Sequence, residues 1–294
     1  MRSKLFVPGS RPELFDKAAA GPADALSFDL EDSVPEARKA EARDTLAAWL
    51  AQHGPRVAAN GTTGKTLIVR VNAQDTAHFA DDVRATVRPG LHLLNLPKPE
   101  SVDQVLAAVA ALEAAERANG VQQPVGLLLN IETPRALREA HALACAHPRV
   151  QGLQLGLGDL FEPLDIARDD AAARHHVMLR VRLAAGEAGL YAMDGAHPDV
   201  ADASGFEAEA RMARALGFIG KSCIHPSQVA RANAAFQPTA AEIERARRML
   251  AGAQAAQAQG LGAVLVDGRM VDAPFVRRAQ LIVDQARQLG LLAD

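Results

Sequence analysis

The chain has 294 residues, which is long for one domain but fits a single α/β barrel with an appendage. Hydrophobic residues make up 49% and charged residues 23%, a balance that excludes a disordered or fibrous protein. A net charge of −3 and an aromatic content of 4% argue against nucleic acid as a partner, because neither phosphates nor bases would find enough complementary groups.

The first residues are partly basic, and the apolar segment that follows is too short for a secretion signal. No apolar run approaches the roughly 20 residues of a membrane span, so we expect a cytoplasmic protein without membrane contact. The two cysteines, Cys145 and Cys223, are far apart and belong to no metal or disulfide pattern. Both are predicted to be buried free thiols.

Short apolar runs alternate with longer amphipathic segments along residues 1–237, as in a parallel sheet whose strands are connected by helices. The predicted strands are Lys4–Val7, Ala25–Asp29, Thr66–Val71, Leu91–Leu96, Val125–Ile131, Gly152–Leu157, Gly189–Met193 and Phe218–Ser222. The clearest predicted helices are Glu36–Gln52, Ser101–Asn119 with a Ser101 cap, and Pro134–Ala146. Eight such units predict a TIM (β/α)8 barrel as the catalytic domain.

Residues 238–294 are not needed for eight β-α units and are predicted to form a helix-hairpin-helix appendage. A helix is expected over Thr239–Gln259 and a second one over Pro274–Leu289. Between them, Gly262–Val271 reads as a hairpin that turns at Asp267–Gly268, since Asp-Gly between apolar runs is a strong turn signal.

Residues 59–66 approximate a phosphate-binding P-loop in which alanine replaces the first glycine. A functional P-loop follows a strand and opens a helix, whereas this segment follows a helix and opens a strand. We therefore predict no phosphate site here.

In a barrel of this kind catalytic residues lie at the C-terminal ends of the strands. Glu132 and Asp159 end two adjacent predicted strands, about 5 Å apart, so both carboxylates can reach one point. Mg²⁺ takes one or two protein carboxylates and completes its octahedron with water and substrate oxygens. The pair therefore predicts a magnesium site, although Asp159 could instead cap the helix that follows.

Arg70 lies between Val69 and Val71 within a predicted strand, where an unpaired guanidinium would be costly to bury. Two interpretations stay open at this point. Arg70 either forms a structural salt bridge with Asp29 or Glu31, or it binds a substrate carboxylate or a developing enolate oxygen. Two interpretations also apply to the acids Asp29, Glu31 and Asp32. They either form a solvated loop, or their mutual repulsion raises the pKa of one of them, as a catalytic base requires.

Together these segments resemble the citrate lyase β-subunit-like branch of the HpcH/HpaI aldolase family. The resemblance extends through almost the whole chain and is carried by eight motifs in order: Leu5–Pro12, Asp29–Val34, Val69–Asn72, Leu96–Lys98, Ile131–Pro134, Gly156–Leu160, Gly220–Pro226 and Asp267–Asp272. One departure is Asp32, which replaces the histidine of pyruvate-type aldolases and argues against a close aldolase analogue.

The resemblance implies particular roles for individual residues. Glu132 and Asp159 would bind Mg²⁺, Glu132 would also contact substrate together with Lys98, and Arg70 would hold the oxo-acid end or the thioester oxygen. Asp272, in the appendage, could reach a neighbouring subunit's site and donate a proton there. Independently of the resemblance, Glu31 and Asp32 of the acidic cluster are the other candidates for a catalytic role. Coenzyme A, as part of the substrate, would lie near Phe6, Pro8 and Arg11.

The implied function is a Mg²⁺-dependent carbon–carbon lyase that cleaves a thioester of the citramalyl-CoA or malyl-CoA type in a homotrimer or hexamer. Three alternatives remain: the citryl-carrier-protein lyase β subunit of a complex with α and carrier subunits, a malate-synthase-like condensing enzyme, and a non-catalytic scaffold subunit.

Overall fold

The computed structural model describes residues 1–59 and 64–292, and these form two compact units, Met1–Phe236 and Gln237–Asp294. The first unit is a closed barrel in which eight strands pair in parallel in sequence order and β1 pairs with β8. The strands are β1 (Ser3–Pro8), β2 (Ala25–Asp29), β3 (Thr66–Arg70), β4 (Leu93–Leu96), β5 (Gly126–Ile131), β6 (Val150–Leu155), β7 (Tyr191–Asp194) and β8 (Gly220–Cys223). The predicted TIM barrel is confirmed.

Helices cover the outside of the barrel, and their apolar faces pack on outward-facing strand residues in one large core. They are α1 (Phe15–Ala20), α2 (Lys39–Ala58), α3 (Phe79–Thr86), α4 (Val102–Asn119), α5 (Pro134–Ala144), α6 (Leu157–Phe161), α7 (Ala171–Glu187), α8 (Ala203–Ala215) and α9 (Pro226–Phe236). Ser101 caps α4 as predicted, because its side chain accepts a hydrogen bond from the Gln104 amide.

Some predicted boundaries were wrong by a few residues. The sixth strand ends at Leu155, and Leu157 begins α6 instead of closing the strand. The helix predicted to start at Glu36 begins as a 3₁₀ turn over Glu36–Arg38 and continues as α2 to Ala58. Pro55 is tolerated in that last helical turn.

The segment that resembles a P-loop lies partly outside the described residues, namely at 60–63. On either side of it, α2 ends at Ala58 and β3 begins at Thr66, so a helix precedes it and a strand follows. This is the reverse of the order that a phosphate loop requires.

The second unit contains helix α10 (Ala240–Ala258), the antiparallel strands β9 (Val264–Val266) and β10 (Arg269–Val271), and helix α11 (Ala273–Gln288). Thr239 and Glu242 form a complete capping box at the start of α10. Asp267 and Gly268 both have positive φ, 51° and 74°, as a type I′ hairpin turn demands. The helix-hairpin-helix prediction is confirmed, while its role over a neighbouring site stays a prediction.

Inward-facing residues form layers along the barrel axis. An apolar layer, composed of Ala25, Ile68, Leu93 and Leu128, lies nearest the strand starts. Because side chains alternate along a strand, the next inward position on β4 is Asn95 and on β5 is Asn130. Glu132 follows Asn130 by two residues and therefore lies at the C-terminal rim. The interior thus changes from apolar to amide to charged toward the rim.

Two smaller expectations can be compared with the structure. Cys223 is buried as predicted, but Cys145 is exposed, so that part of the prediction was wrong. Cys145 follows the last residue of α5, where the chain leaves the packed face of the helix.

Across residues 1–59 and 64–292, none of the helices has the length and apolar character that crossing a bilayer requires.

Candidate active site

The Glu132 carboxylate is buried at the rim, with 2% of the residue exposed, and two donors hold it. Its Oε1 accepts a hydrogen bond from the backbone N–H of Lys98 at 3.0 Å, and its Oε2 accepts one from Asn130 Nδ2 at 3.1 Å. A carboxylate oxygen can accept more than one bond, so each oxygen keeps acceptor capacity for a ligand in the barrel mouth.

Gly156 provides the space that this carboxylate occupies. A Cβ atom at position 156 would lie 2.6 Å from both Glu132 Cβ and Glu132 Oε2. Gly156 also donates its N–H to the Ile131 carbonyl at 3.0 Å, which holds the end of β6 close beside β5. Only glycine therefore fits here while Glu132 keeps its position.

Lys98 connects the acids of three different strand ends. Its Nζ lies 3.1 Å from Asp159 Oδ1 and 3.3 Å from Glu31 Oε1, while its backbone N–H binds Glu132. The residue has a φ of 49°, a left-handed conformation that is uncommon for a side chain other than glycine. Such strain persists where the surrounding structure enforces it, commonly at functional sites. Glu132 and Asp159 thus both contact Lys98.

Arg70 lies at the end of β3 and binds the acids of the β2 loop. Its Nε and Nη2 donate to the two Asp29 oxygens at 2.7 and 2.8 Å in a bidentate pair. Its Nη1 lies 2.8 Å from Glu31 Oε2 and 3.2 Å from Asp32 Oδ2. The structural salt bridge considered from the sequence therefore exists. Asp32 is largely exposed, so a substrate anion could replace it. The guanidinium nitrogen that faces Asp32 is Nη1.

The pKa values of Glu31 and Glu132 are both raised from 4.5 to about 7. Burial is the largest cause for each, and at Glu132 the negative charges of Glu31 and Asp159 raise the pKa further. Arg70 and Lys98 oppose the shift without cancelling it. A pKa near neutrality suits proton transfer at Glu31, and at Glu132 it shows that burial and the neighbouring carboxylates disfavour the ionised form.

The donor set fits a hard divalent cation. Glu132 and Asp159 offer carboxylate oxygens, the ligand type that Mg²⁺ prefers, and their negative charge is incompletely balanced. Within the described part of the chain, no group of three or more His, Cys, Asp or Glu side chains forms a metal cage. A cation here would therefore draw its remaining ligands from water and substrate, as Mg²⁺ commonly does.

The residues predicted for coenzyme A line one cavity of about 520 Å³ between β1, α1 and the turn after β8. Phe6, Pro8 and Arg11 all contribute to its wall, together with Lys17 and His225. Arg11 is paired with Glu13 at the surface. Asp272 belongs to the second unit, where it precedes α11, and its Oδ1 is buried without a hydrogen-bond partner among the described residues.

Sequence reasoning missed four residues that organise the site: Lys4, Asn95, Asn130 and Gly156. The sequence did contain a signal for Lys4, Asn95 and Asn130, because a polar residue inside an apolar strand must find a buried partner. Asn95 and Asn130 interrupt such strands in this way. The contact of Gly156 with Glu132 had no sequence signal.

The chain is similar to proteins of known family. The family model described as HpcH/HpaI aldolase/citrate lyase matches residues 2–226. The L-malyl-CoA/beta-methylmalyl-CoA lyase of Cereibacter sphaeroides is 33% identical over 98% of this chain and 95% of the relative. The citrate lyase subunit beta of Escherichia coli K12 is 36% identical over 99% and 94%. The structure of CitE from Mycobacterium tuberculosis with magnesium, acetoacetate and coenzyme A has a TM-score of 0.74 at 33% identity, covering 98% of this chain and all of that one.

Proposed function

The chain belongs to the HpcH/HpaI aldolase/citrate lyase family, and from that premise we propose that it is a Mg²⁺-dependent carbon–carbon lyase acting on a CoA thioester. The substrate class is the 3-hydroxyacyl thioester of a 2-hydroxy acid, of the malyl-CoA or citramalyl-CoA type. The products are a 2-oxo acid and acetyl-CoA.

The observation that carries this proposal is the excess of carboxylates around one point of the rim. Five acids lie there against the two bases Arg70 and Lys98 at the rim and Lys4 below it: Asp29, Glu31, Asp32, Glu132 and Asp159. Because the pKa of Glu132 is about 7 without a cation, its ionised form is poorly stabilised by the protein alone. A divalent cation would supply the missing positive charge.

Glu132 and Asp159 would hold the cation. When bound, Mg²⁺ stabilises negative charge on the substrate's oxo-acid end. Arg70 Nη1 and Lys98 Nζ present further positive charge to the same space, and both would orient the substrate's anionic groups. Asp29 keeps the guanidinium of Arg70 in place through its bidentate bonds.

Cleavage requires a base for the substrate hydroxyl, and Glu31, with a pKa near 7, suits this role. As the hydroxyl proton moves to the base, the oxygen lone pair forms the new carbonyl and the C–C bond electrons move into the thioester as an enolate. An acid must then protonate the enolate carbon to give acetyl-CoA. Asp32 at the rim and Asp272 of the C-terminal unit are the candidate acids, Asp272 serving a neighbouring subunit's site in a homotrimer or hexamer.

Coenzyme A would occupy the cavity that Phe6, Pro8 and Arg11 line. The cavity combines apolar wall residues with the cationic side chains of Arg11 and Lys17, as an apolar and phosphorylated ligand requires. The test of this placement is the KM of the CoA ester in Arg11→Ala and Lys17→Ala, which should rise while kcat changes little.

The function is tested by incubating the protein with CoA esters of malate, citramalate and 3-hydroxy-3-methylglutarate in the presence of Mg²⁺. Release of the carbonyl product and acetyl-CoA should occur with at least one ester and stop with EDTA. Glu132→Ala or Asp159→Ala should abolish Mg²⁺-dependent cleavage without unfolding the protein. Asp103→Ala, on the exposed side of α4, provides a control for loss of one carboxylate. Full activity in either rim variant would exclude the metal assignment.

A second candidate function is favoured by the 36% identity to a citrate lyase β subunit. In that case the same site would cleave citryl bound to a carrier protein in a complex with α and carrier subunits. Cleavage of citryl-carrier protein, with no activity on free CoA esters, would establish this alternative. A condensing enzyme of malate-synthase type would instead form thioester products from acetyl-CoA and glyoxylate, and a scaffold subunit would show neither activity nor Mg²⁺ binding.

A further inference from the structure

A buried hydrogen-bonded chain runs through the barrel interior and ends at Glu132. Lys4 Nζ donates to Asn95 Oδ1 at 3.3 Å, Asn95 Nδ2 donates to Asn130 Oδ1 at 2.7 Å, and Asn130 Nδ2 donates to Glu132 Oε2 at 3.1 Å. Lys4, Asn95 and Asn130 are at most 1% exposed, so water does not compete for these bonds. Three strands, β1, β4 and β5, contribute one member each before the rim.

The bonds of Asn95 give this chain one direction. The Leu128 carbonyl can only accept, so Asn95 turns its amide nitrogen toward it and its carbonyl oxygen toward the side-chain nitrogen of Lys4. The amide nitrogen of Asn95 then faces Asn130 Oδ1, and it also donates to the Leu128 carbonyl at 2.9 Å. Asn130 is thereby obliged to direct its own amide nitrogen at Glu132, which can only accept when ionised.

The side-chain nitrogen of Lys4 has hydrogen-bond partners that are not carboxylates, and burial together with the positive charge of Arg70 holds its pKa well below the ordinary value. Besides Asn95, it donates to Gln154 Oε1 on β6, and it lies 4.1 Å from the centre of the Phe6 ring. Lys4 therefore makes no direct contact with Glu132 among these bonds. Its hydrogen-bonded path to Glu132 runs through the two asparagines.

We propose that Asn95 is a positioning residue for the metal-binding carboxylate: through the buried Lys4–Asn95–Asn130 chain it sets the direction of the hydrogen bond that holds Glu132. The proposal rests on the magnesium site of the proposed function. Asn95 lies below the rim and touches neither carboxylate of that site, so its effect is indirect. Partners of this kind commonly change metal affinity by about 10–100-fold.

The decisive variant is Asn95→Asp, which keeps the volume and the acceptor for Lys4 but removes the donor to Asn130. Asn130 can bond to the new carboxylate only by turning its amide, and its oxygen would then face Glu132 Oε2. Two acceptors cannot bond while Glu132 is ionised, so Glu132 should leave its position in measurements made well above pH 7. The added negative charge alone would strengthen cation binding. If Asn95→Asp binds Mg²⁺ more weakly than the wild type, the cause is therefore the changed hydrogen bonds and not the added charge.

Asn233→Asp is the matched control. Asn233 on α9 likewise accepts one bond, from Ser3, and donates one to a carbonyl, Pro22. Its partner Ser3 directly precedes Lys4 on β1, but neither of these bonds belongs to the Lys4–Asn95–Asn130 chain. Asn95→Ala loses the bonds to Asn130 and Leu128, as Asn95→Asp does, and also the bond from Lys4, without adding a charge. It keeps the test available if the aspartate variant does not fold.

Two measurements are made on each full-length variant: Mg²⁺ affinity by titration calorimetry, and a metal-free crystal structure. In Asn95→Asp we expect about tenfold or greater loss of Mg²⁺ affinity and separation of Asn130 Nδ2 from Glu132 Oε2 beyond hydrogen-bonding distance. Asn233→Asp should match the wild type in both.

Unchanged or higher Mg²⁺ affinity in Asn95→Asp would overturn the proposal. So would a metal-free structure in which the Asn130–Glu132 bond persists at its 3.1 Å length. If the wild-type protein itself binds no Mg²⁺, the metal site of the proposed function fails. The metal-free structures would then still decide whether Asn95 positions Glu132.

Discussion

Replacing Gly156 by alanine should displace Glu132 and weaken the magnesium site. The new Cβ would lie 2.6 Å from Glu132 Oε2, which falls short of the 3.4 Å of ordinary contact by 0.8 Å. Gly156 has a φ of −114°, which alanine adopts without strain, so the contact alone causes the effect. A functional site tolerates displacements of only about 0.5 Å. We therefore expect Mg²⁺ affinity to fall about 10–100-fold, with a cost in stability of about 1–3 kcal/mol from overpacking.

Gly158→Ala is the matched control, two residues further along the same turn. A Cβ at position 158 meets no atom within 4 Å, and alanine favours the helical conformation of α6. Titration calorimetry with Mg²⁺ and thermal unfolding compare the two variants with the wild type. The reasoning is refuted if Gly156→Ala binds Mg²⁺ within about twofold of Gly158→Ala, a difference of only about 0.4 kcal/mol.

Three further predictions concern charged groups. Arg70→Lys loses the bidentate bond to Asp29 and one guanidinium donor at the rim. The kcat/KM for the active CoA ester should therefore fall about 10²–10³-fold. A kcat/KM within twofold of the wild type would contradict the role of Arg70. Lys221→Met leaves Asp194 and Glu209 buried without their shared ammonium, and urea unfolding should show a loss of about 3–5 kcal/mol; a loss below 1 kcal/mol would count against this estimate. Despite its burial, the charge of Lys221 and its hydrogen bond lower the pKa of Glu209 from 4.5 to about 2. Because the folded-state pKa is the lower one, this carboxylate stabilises the fold above pH 4.5 and ceases to do so as the pH falls toward 2. The stability difference between wild type and Glu209→Gln should therefore shrink over that range, and a constant difference from pH 5 to 2.5 would show that the ionisation of Glu209 does not stabilise the fold.

The amino-acid sequence by itself determined the architecture and the positions of the charged rim residues. Alternating apolar and amphipathic segments specify β-α units locally, and Ser101, Thr239 and Asp267–Gly268 mark helix starts and a turn through bonds within a few residues. Because parallel strands place their ends on one rim, Arg70, Glu132 and Asp159 could be assigned to the same site before any coordinates. The ends of strands, such as the end of β6 at Leu155, were harder to predict, because an apolar residue fits both the end of a strand and the first turn of a helix.

Only the tertiary structure decided how those acids are held. The bonds that fix Glu132 come from the Lys98 N–H after β4 and from Asn130 on β5, and the space for it comes from Gly156 directly after β6. Lys98 and Gly156 are distant from Glu132 in sequence and meet it only when the barrel closes, so no local pattern encodes these contacts. The same closure places Arg70 against Asp29 and Lys98 among three carboxylates. A carboxylate whose position looked ordinary in the sequence thus becomes, through packing in the barrel interior, a buried group with other carboxylates around it, as the proposed metal site requires.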